Sequence, residues 1–171
     1  DKDDGLALYD SLLEVGVVPV GIETYANSRR LEKSFRLQGA DLETEYTAIE
    51  AAIQRPLVKE ADFHGKAAHL SHRENEPCAI LCTMTLDDLN VSGVPRYPVG
   101  ISPIIDPATG EVPIDNKGRR SYSTGMSYCP SIKKFVVMGY LPKELAIQGK
   151  QLLIEYFNED GDGVYPITVQ I

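Results

Sequence analysis

From about residue 73 onward the chain is cut into six strand-like runs, at 78–86, 97–105, 119–126, 134–141, 151–157 and 163–169. Turn chemistry stands between them: Asp106-Pro107-Ala108-Thr109-Gly110, Asp115-Asn116-Lys117-Gly118, Pro130 and Asp160-Gly161-Asp162-Gly163. Short strands at that spacing predict a small antiparallel barrel or sandwich. Before residue 73 the patterning is mostly helical, so the expected fold class is α+β, with one unit over 1–73 and a β unit over 74–171.

The first unit opens with Asp3 and Asp4 ahead of Leu6, Tyr9, Leu12 and Leu13, an apolar stripe at helical spacing, and Gly16 follows where a C-cap needs positive φ. This predicts an amphipathic helix of about twelve residues, packed on something. Residues 17–22, VVPVGI, read as a short buried strand in which Pro19 implies an edge or a bulge. A second helix is expected from Thr24, a candidate N-cap, to Lys33. A third opens at Asp62-Phe63-His64-Gly65-Lys66 and runs toward His72.

On the second helix Tyr25, Arg29 and Glu32 are four and three positions apart and project from one face. A phenol, a guanidinium and a carboxylate there could read a polar heterocycle; the alternative is a solvated face carrying one Arg–Glu pair. Arg30, Leu31, Glu32, Lys33, Phe35, Arg36 and Leu37 then mix charge with apolar residues before a turn at Gly39. A buried carboxylate needs a partner, so Glu32 either joins an ion pair or faces a ligand, and the ligand is the reading preferred.

Other chemistry is thin. His64, His69 and His72 lack the i, i+4 pair of helical zinc sites, and no acidic cluster completes them, so no metal site is expected. Residues 158–163, NEDGDG, lack the bidentate Glu of a calcium loop and read as a hairpin turn. Cys78 and Cys82 would lie ~13 Å apart on a strand, too far to bridge. Cys129 has no His or acidic neighbour in sequence to make it a nucleophile. A hydrolase using Cys129 or the histidines is therefore the weakest reading.

Composition sets the remaining bounds. With 171 residues, 43% of them hydrophobic and 25% charged, the chain can bury a real core. A net charge of −8 without a basic face argues against nucleic acid or an anionic membrane as the main partner. The longest apolar runs, 79–84 and 135–138, fall far short of the ~20 residues of a membrane helix. Three cysteines with no signal-peptide pattern point to the cytoplasm, or alternatively the mitochondrial matrix. A start at Asp1, almost directly in a helical pattern, reads as a fragment.

Three motifs in order add a resemblance that covers nearly the whole chain. RLEKSFRLQGADL (30–42), DFHGKAAH (62–69) and CPSIKKFVVMGYLP (129–142) resemble elements of the glycine-cleavage T-protein (aminomethyltransferase) family. That family includes the folate-binding regions of dimethylglycine and sarcosine dehydrogenases, whose RLEKGYRxWG form is the more similar. The resemblance implies tetrahydrofolate-dependent transfer of a one-carbon unit from a small methylated amine or related donor. It implies that Glu32 bonds the pterin, with Tyr25 and Arg29 beside it, and that Arg96 is available to the folate carboxylates. It makes residues 1–73 the last part of a ferredoxin-like α/β domain and 74–171 the C-terminal barrel.

No catalytic residue is expected in this chain, because the family's aspartate lies upstream, in an N-terminal part that would be a partner of this one. An upstream flavin domain with FAD is a further implication of the dehydrogenase likeness. Ser34 replaces a family glycine, Gln38 an aromatic residue and Arg55 a tryptophan. These departures keep a second reading open, a non-catalytic binding or scaffold module with the folate site lost.

Overall fold

The computed structural model describes residues 1–86, 101–158 and 161–170. Six strands form one antiparallel sheet: β1 Ala79–Leu86, β2 Ile104–Ile105, β3 Ser123–Cys129, β4 Lys134–Pro142, β5 Gln151–Asn158 and β6 Gly161–Gln170. Their order across the sheet is β2-β5-β6-β1-β4-β3. At the centre β1 lies between β6 and β4, and pairs with β4 in register from Ala79 opposite Pro142 to Leu86 opposite Phe135.

The sheet curls because its inner face is packed with large side chains while its edges are drawn toward one another. Along β1, Cys82, Met84 and Leu86 join Val137, Leu141, Leu152, Ile154, Ile167 and Val169 in one buried cluster, as period-two alternation requires. On the other face Ala79, Leu81, Cys129, Val136, Met138 and Tyr140 form a second cluster with Leu31. Strand β4 is buried on both faces, and its sequence FVVMGYLP is accordingly an almost unbroken apolar run. Gly139 lets the edges approach: a Cβ there would stand 2.6 Å from the Tyr122 carbonyl oxygen and 2.9 Å from Ile104 Cδ1. At that place the amides of Ile101 and Ser123 donate to the carbonyls of Ser123 and Ser102, at 2.6 and 2.9 Å.

Five of the predicted runs match strands within a few residues. The exception is 97–105, of which only Ile104–Ile105 pairs in the sheet and most lies outside the described residues. Asn158 faces Gly161 across the β5–β6 hairpin, at the expected turn; Glu159 and Asp160 themselves are outside the described residues.

Ahead of the sheet stand α1 Gly5–Glu14, a helix over 24–32 and α3 Lys66–Glu74. Gly16 follows α1 at φ +87 and donates to the Leu13 carbonyl at 2.9 Å, as the C-cap expectation required. Three expectations are corrected. Residues 17–22 form no strand: Pro19 withdraws a donor, no strand among the described residues pairs there, and Val18 and Ile22 are 78% and 80% exposed. Thr24 makes no cap hydrogen bond; the helix begins with a π-helical turn, Thr24–Arg29, and continues as α2 Arg30–Glu32. The third helix starts at Lys66 rather than Asp62, because Gly65 sits at φ +81 and turns the chain just before it. No side chain of α1 is buried. No helix among the described residues is long and apolar enough to cross a membrane.

Candidate functional site

The segment 24–51 is laid on the outer face of β3 and β4, anchored by Leu31, which is 1% exposed among Met138, Val136 and Tyr140. Polar bonds fix what apolar contact alone leaves free to slide. Arg30 is buried: its Nε donates to the Ala26 carbonyl at 2.7 Å, and Nη1 bonds the Asp41 carboxylate and the Phe35 carbonyl. Asp41, wholly buried, also accepts the Leu37 amide at 2.8 Å and the Thr124 hydroxyl from β3. Tyr140 on β4 donates to the Asp41 carbonyl at 2.7 Å. One ion pair thus joins the helix, the 35–41 turn and two strands. Gly125 makes room for it, since a Cβ there would lie 2.6 Å from Arg30 Nη2.

Glu32 leaves the helix toward the turn after β3. Its Oε1 accepts the Ser131 amide at 2.9 Å and its Oε2 accepts Arg29 Nη1 at 2.9 Å; Arg29 Nη1 also donates to the Ser131 hydroxyl. The Ser131 amide, followed by Arg29, holds the Glu32 carboxyl below its usual pKa against the opposing pull of burial, so it is an ionised acceptor.

Beside this helix a cavity of about 350 Å³ is lined by Tyr25, Ala26, Arg29, Arg30, Lys33, Phe35, Arg36 and Leu37. Two of the expected residues, Tyr25 and Arg29, line it; Glu32 does not, and joins them through its bond to Arg29. Arg96 lies outside the described residues. The sequence reading missed Arg30 and Asp41 as a pair, Lys33 and Arg36 as cavity walls, and Ser131 as the partner of Glu32. The Arg30–Asp41 pair carried a signal, an arginine and an aspartate bracketing an apolar stretch and a glycine turn; a backbone amide donor such as Ser131 carries none.

A second ionic cluster binds the end of the segment. Glu50, 1% exposed, accepts from Arg119 and from its own helical turn's Thr47 amide, with Lys117 at 3.5 Å. Burial works against its ionisation, but the Arg119 and Thr47 hydrogen bonds outweigh it and hold the pKa at about 2. Asp115 takes the other side of Arg119. Arg119 also lies 4.3 Å over the Tyr46 ring, which stacks on Tyr140.

Two thiols, those of Cys82 and Cys129, are buried and favour the protonated form. Burial pushes Cys82 up to about 12 and Cys129 up to about 11, and Cys129 donates toward the Ser28 carbonyl. Among the described residues no three His, Cys, Asp or Glu side chains converge as metal ligands would.

Known proteins decide what this arrangement belongs to. No protein-family model matches the chain. It is 31% identical over 155 residues to an aminomethyltransferase of Francisella philomiragia, covering 86% of this chain and 39% of that protein. It is 28% identical over 176 residues to human mitochondrial dimethylglycine dehydrogenase, covering 98% of this chain and 18% of that protein. The chain is a homologue of the aminomethyltransferases and dimethylglycine dehydrogenases. It spans well under half the length of either relative. Among solved structures, the glycine cleavage system aminomethyltransferase T from Bartonella henselae superposes with a TM-score of 0.64 at 24% identity, over 85% of this chain and 36% of that one. That likeness concerns the fold: an α+β chain with a curled antiparallel sheet.

Proposed function

We propose that this chain is part of a tetrahydrofolate-dependent aminomethyl- or methyltransferase, in which Glu32 orients the pterin and the curled sheet is the family's closing barrel. The homology supports the reaction class. The observation that carries the site is the state of Glu32, an ionised carboxylate fixed at both oxygens yet using about half of its acceptor capacity. The spare lone pairs match a ligand edge of adjacent N–H donors, the edge a pterin offers. Tyr25 and Phe35 give the neighbouring cavity its aromatic walls. When bound, tetrahydrofolate supplies the nitrogen that accepts the one-carbon unit. The residues here bind and orient: Arg29 and the Ser131 amide hold the carboxylate, and Arg30 with Asp41 holds the helix that bears it. Such positioning can supply ~7–11 kcal/mol of a barrier.

On this reading the aspartate that handles the proton belongs to preceding polypeptide, which also covers the exposed stripe of α1 and residues 17–22. The donor is a small methylated amine or related compound, and a flavin domain with FAD stands further upstream if the dehydrogenase likeness extends that far. The cytoplasm or the mitochondrial matrix is the proposed compartment.

A second reading, a scaffold module with the folate site lost, draws on Gln38, whose side-chain amide donates to the Leu42 carbonyl at 3.2 Å. Calorimetric titration with tetrahydrofolate separates the two, using the chain alone and joined to the polypeptide that precedes it. The enzyme reading expects saturable binding weakened at least tenfold by Glu32→Gln; heat equal to buffer in both forms selects the module.

A further inference from the structure

A second cavity, with no part in holding Glu32, opens between residues 48–59 and α3. It has about 370 Å³ of space, and its apolar lining is Ile53, Leu57, Val58 and Phe63. Arg73 on α3 fixes one wall, donating through its guanidinium to the carbonyls of Arg55 and Pro56 at 2.7 and 3.0 Å. The Arg55 side chain itself is left over. Arg55 and Lys59 both line the cavity, and no acid does; Glu60 and Asp62, the acids that follow Lys59, are not among its walls. Among the described residues neither lining cation has a carboxylate partner. Lys59 Nζ lies instead 4.9 Å over the Phe63 ring, a contact that keeps its full charge at the rim.

On a chain of net charge −8, this is a greasy hollow under a positive rim, and such a rim draws acidic partners. Its openness narrows what the partner can be. Leu57 is 87% exposed and Ile53 45% exposed, whereas a small-molecule site buries most of its ligand's surface. Apolar groups this bare next to unanswered charge suit a polypeptide, which supplies its own cover. We infer that the cavity docks an acidic segment of a partner protein, with an aliphatic or aromatic anchor among Ile53, Leu57 and Phe63 and flanking carboxylates on Arg55 and Lys59. The guanidinium at 55 offers a carboxylate two parallel donors, and the ammonium at 59 exchanges a ring for an anion. The docking needs neither Glu32 nor the ligand proposed for it.

The probe is a fluorescein-labelled hexapeptide, Asp-Glu-Leu-Phe-Glu-Asp, compared by anisotropy with Lys-Lys-Leu-Phe-Lys-Lys. The protein carries Arg55→Glu, Lys59→Glu or Leu57→Ser in turn. All three side chains are exposed, and circular dichroism checks that the variants fold. Only the acidic peptide should bind, and less tightly as salt rises. Each charge reversal should weaken it about tenfold or more, and Leu57→Ser should weaken it about fivefold by removing the anchor's seat. Lys33→Glu, at the other basic cavity, should change nothing. No binding of the acidic peptide, equal binding of the lysine peptide, or loss with Lys33→Glu in place of Arg55→Glu overturns the inference. Binding that falls with the charge reversals but ignores Leu57→Ser also overturns it, because the contact is then electrostatic without an anchor. Sedimentation of the chain alone covers the remaining occupant: a dimer dissolved by Arg55→Glu assigns this face to a second copy and removes the partner reading.

Discussion

Residues 5–22 are richer in apolar side chains than residues 30–51, 11 of 18 against 9 of 22, yet the first stretch buries nothing and the second is sewn to the sheet. In the first, Leu6, Leu8, Val15, Val18, Val20 and Ile22 are all exposed. In the second, Leu31, Asp41, Glu50 and Ala51 are buried, and each buried polar group has its partner in a strand or a turn. Hydrophobicity alone therefore does not decide what docks here. The docked stretch has ion pairs and a ring stack that specify one register on β3 and β4; the other has an apolar stripe whose Ser11 hydroxyl bonds only within its own helix, to the Ala7 carbonyl.

The largest effect that bears on this contrast is expected from Arg30. Replacing it with Ala leaves Asp41 buried without its counter-charge, which typically costs ~3–5 kcal/mol. Urea denaturation should show a loss of that size, carried by the 30–51 segment in hydrogen exchange, whereas strands β5 and β6 keep their protection. A uniform loss across the sheet would mean the pair supports the whole fold and is no local seam. Gly125→Ala attacks the same pair from the strand side. Its Cβ would meet Arg30 Nη2 at 2.6 Å and Leu31 Cδ2 at 3.8 Å, and forcing the guanidinium aside should cost ~1–3 kcal/mol.

The second seam predicts a pH dependence. Glu50 has a folded pKa of about 2 against an ordinary 4.5. A depressed pKa contributes stability in full above the unfolded value and loses it as pH falls through the folded one. Acid titration at constant ionic strength should weaken the protein from near pH 4.5 down toward pH 2, and Glu50→Gln should flatten that limb while lowering stability at pH 7. Asp115, whose carboxyl also sits low because Arg119 and local amides outweigh its burial, titrates in the same direction, so the limb shrinks without vanishing.

The sheet was legible because alternation and turn residues are local: Gly118 at φ +81 and Gly110 at φ +73 are where the turn chemistry called for them. Residues 17–22 were misread because a β-branched run states only a preference for a pleated surface, and the partner strand is a fact about three dimensions. The site was half legible. Glu32 and Arg29 stand out as charges on one face, but the amide of Ser131, 99 positions away, has no side-chain signature. Ser34 shows what a departure from a motif means physically. It occupies a family glycine position at φ +52, and its hydroxyl bonds Thr83 on β1 at 2.7 Å. The strain of the left-handed backbone, ~1–2 kcal/mol, is offset by a contact glycine could not make. Ser34→Ala keeps the strain and loses the bond, for an expected ~1 kcal/mol in thermal or urea unfolding.

The smallest effect belongs to the undocked stretch, and its smallness is the informative part. Leu12 lies on the apolar stripe of α1 and is 42% exposed, with no side chain of that helix buried. In the chain alone Leu12→Ser should change unfolding free energy by less than ~0.5 kcal/mol, as substitutions away from packed features do. In the polypeptide extended toward its N-terminus, the same change should cost ~2 kcal/mol or more if the stripe is covered there, because a buried leucine side chain is worth about that much. The ratio of the two measurements tests the contrast itself. Equal, small values in both forms would mean that the stripe is bare by design and that the covering polypeptide proposed for it binds elsewhere.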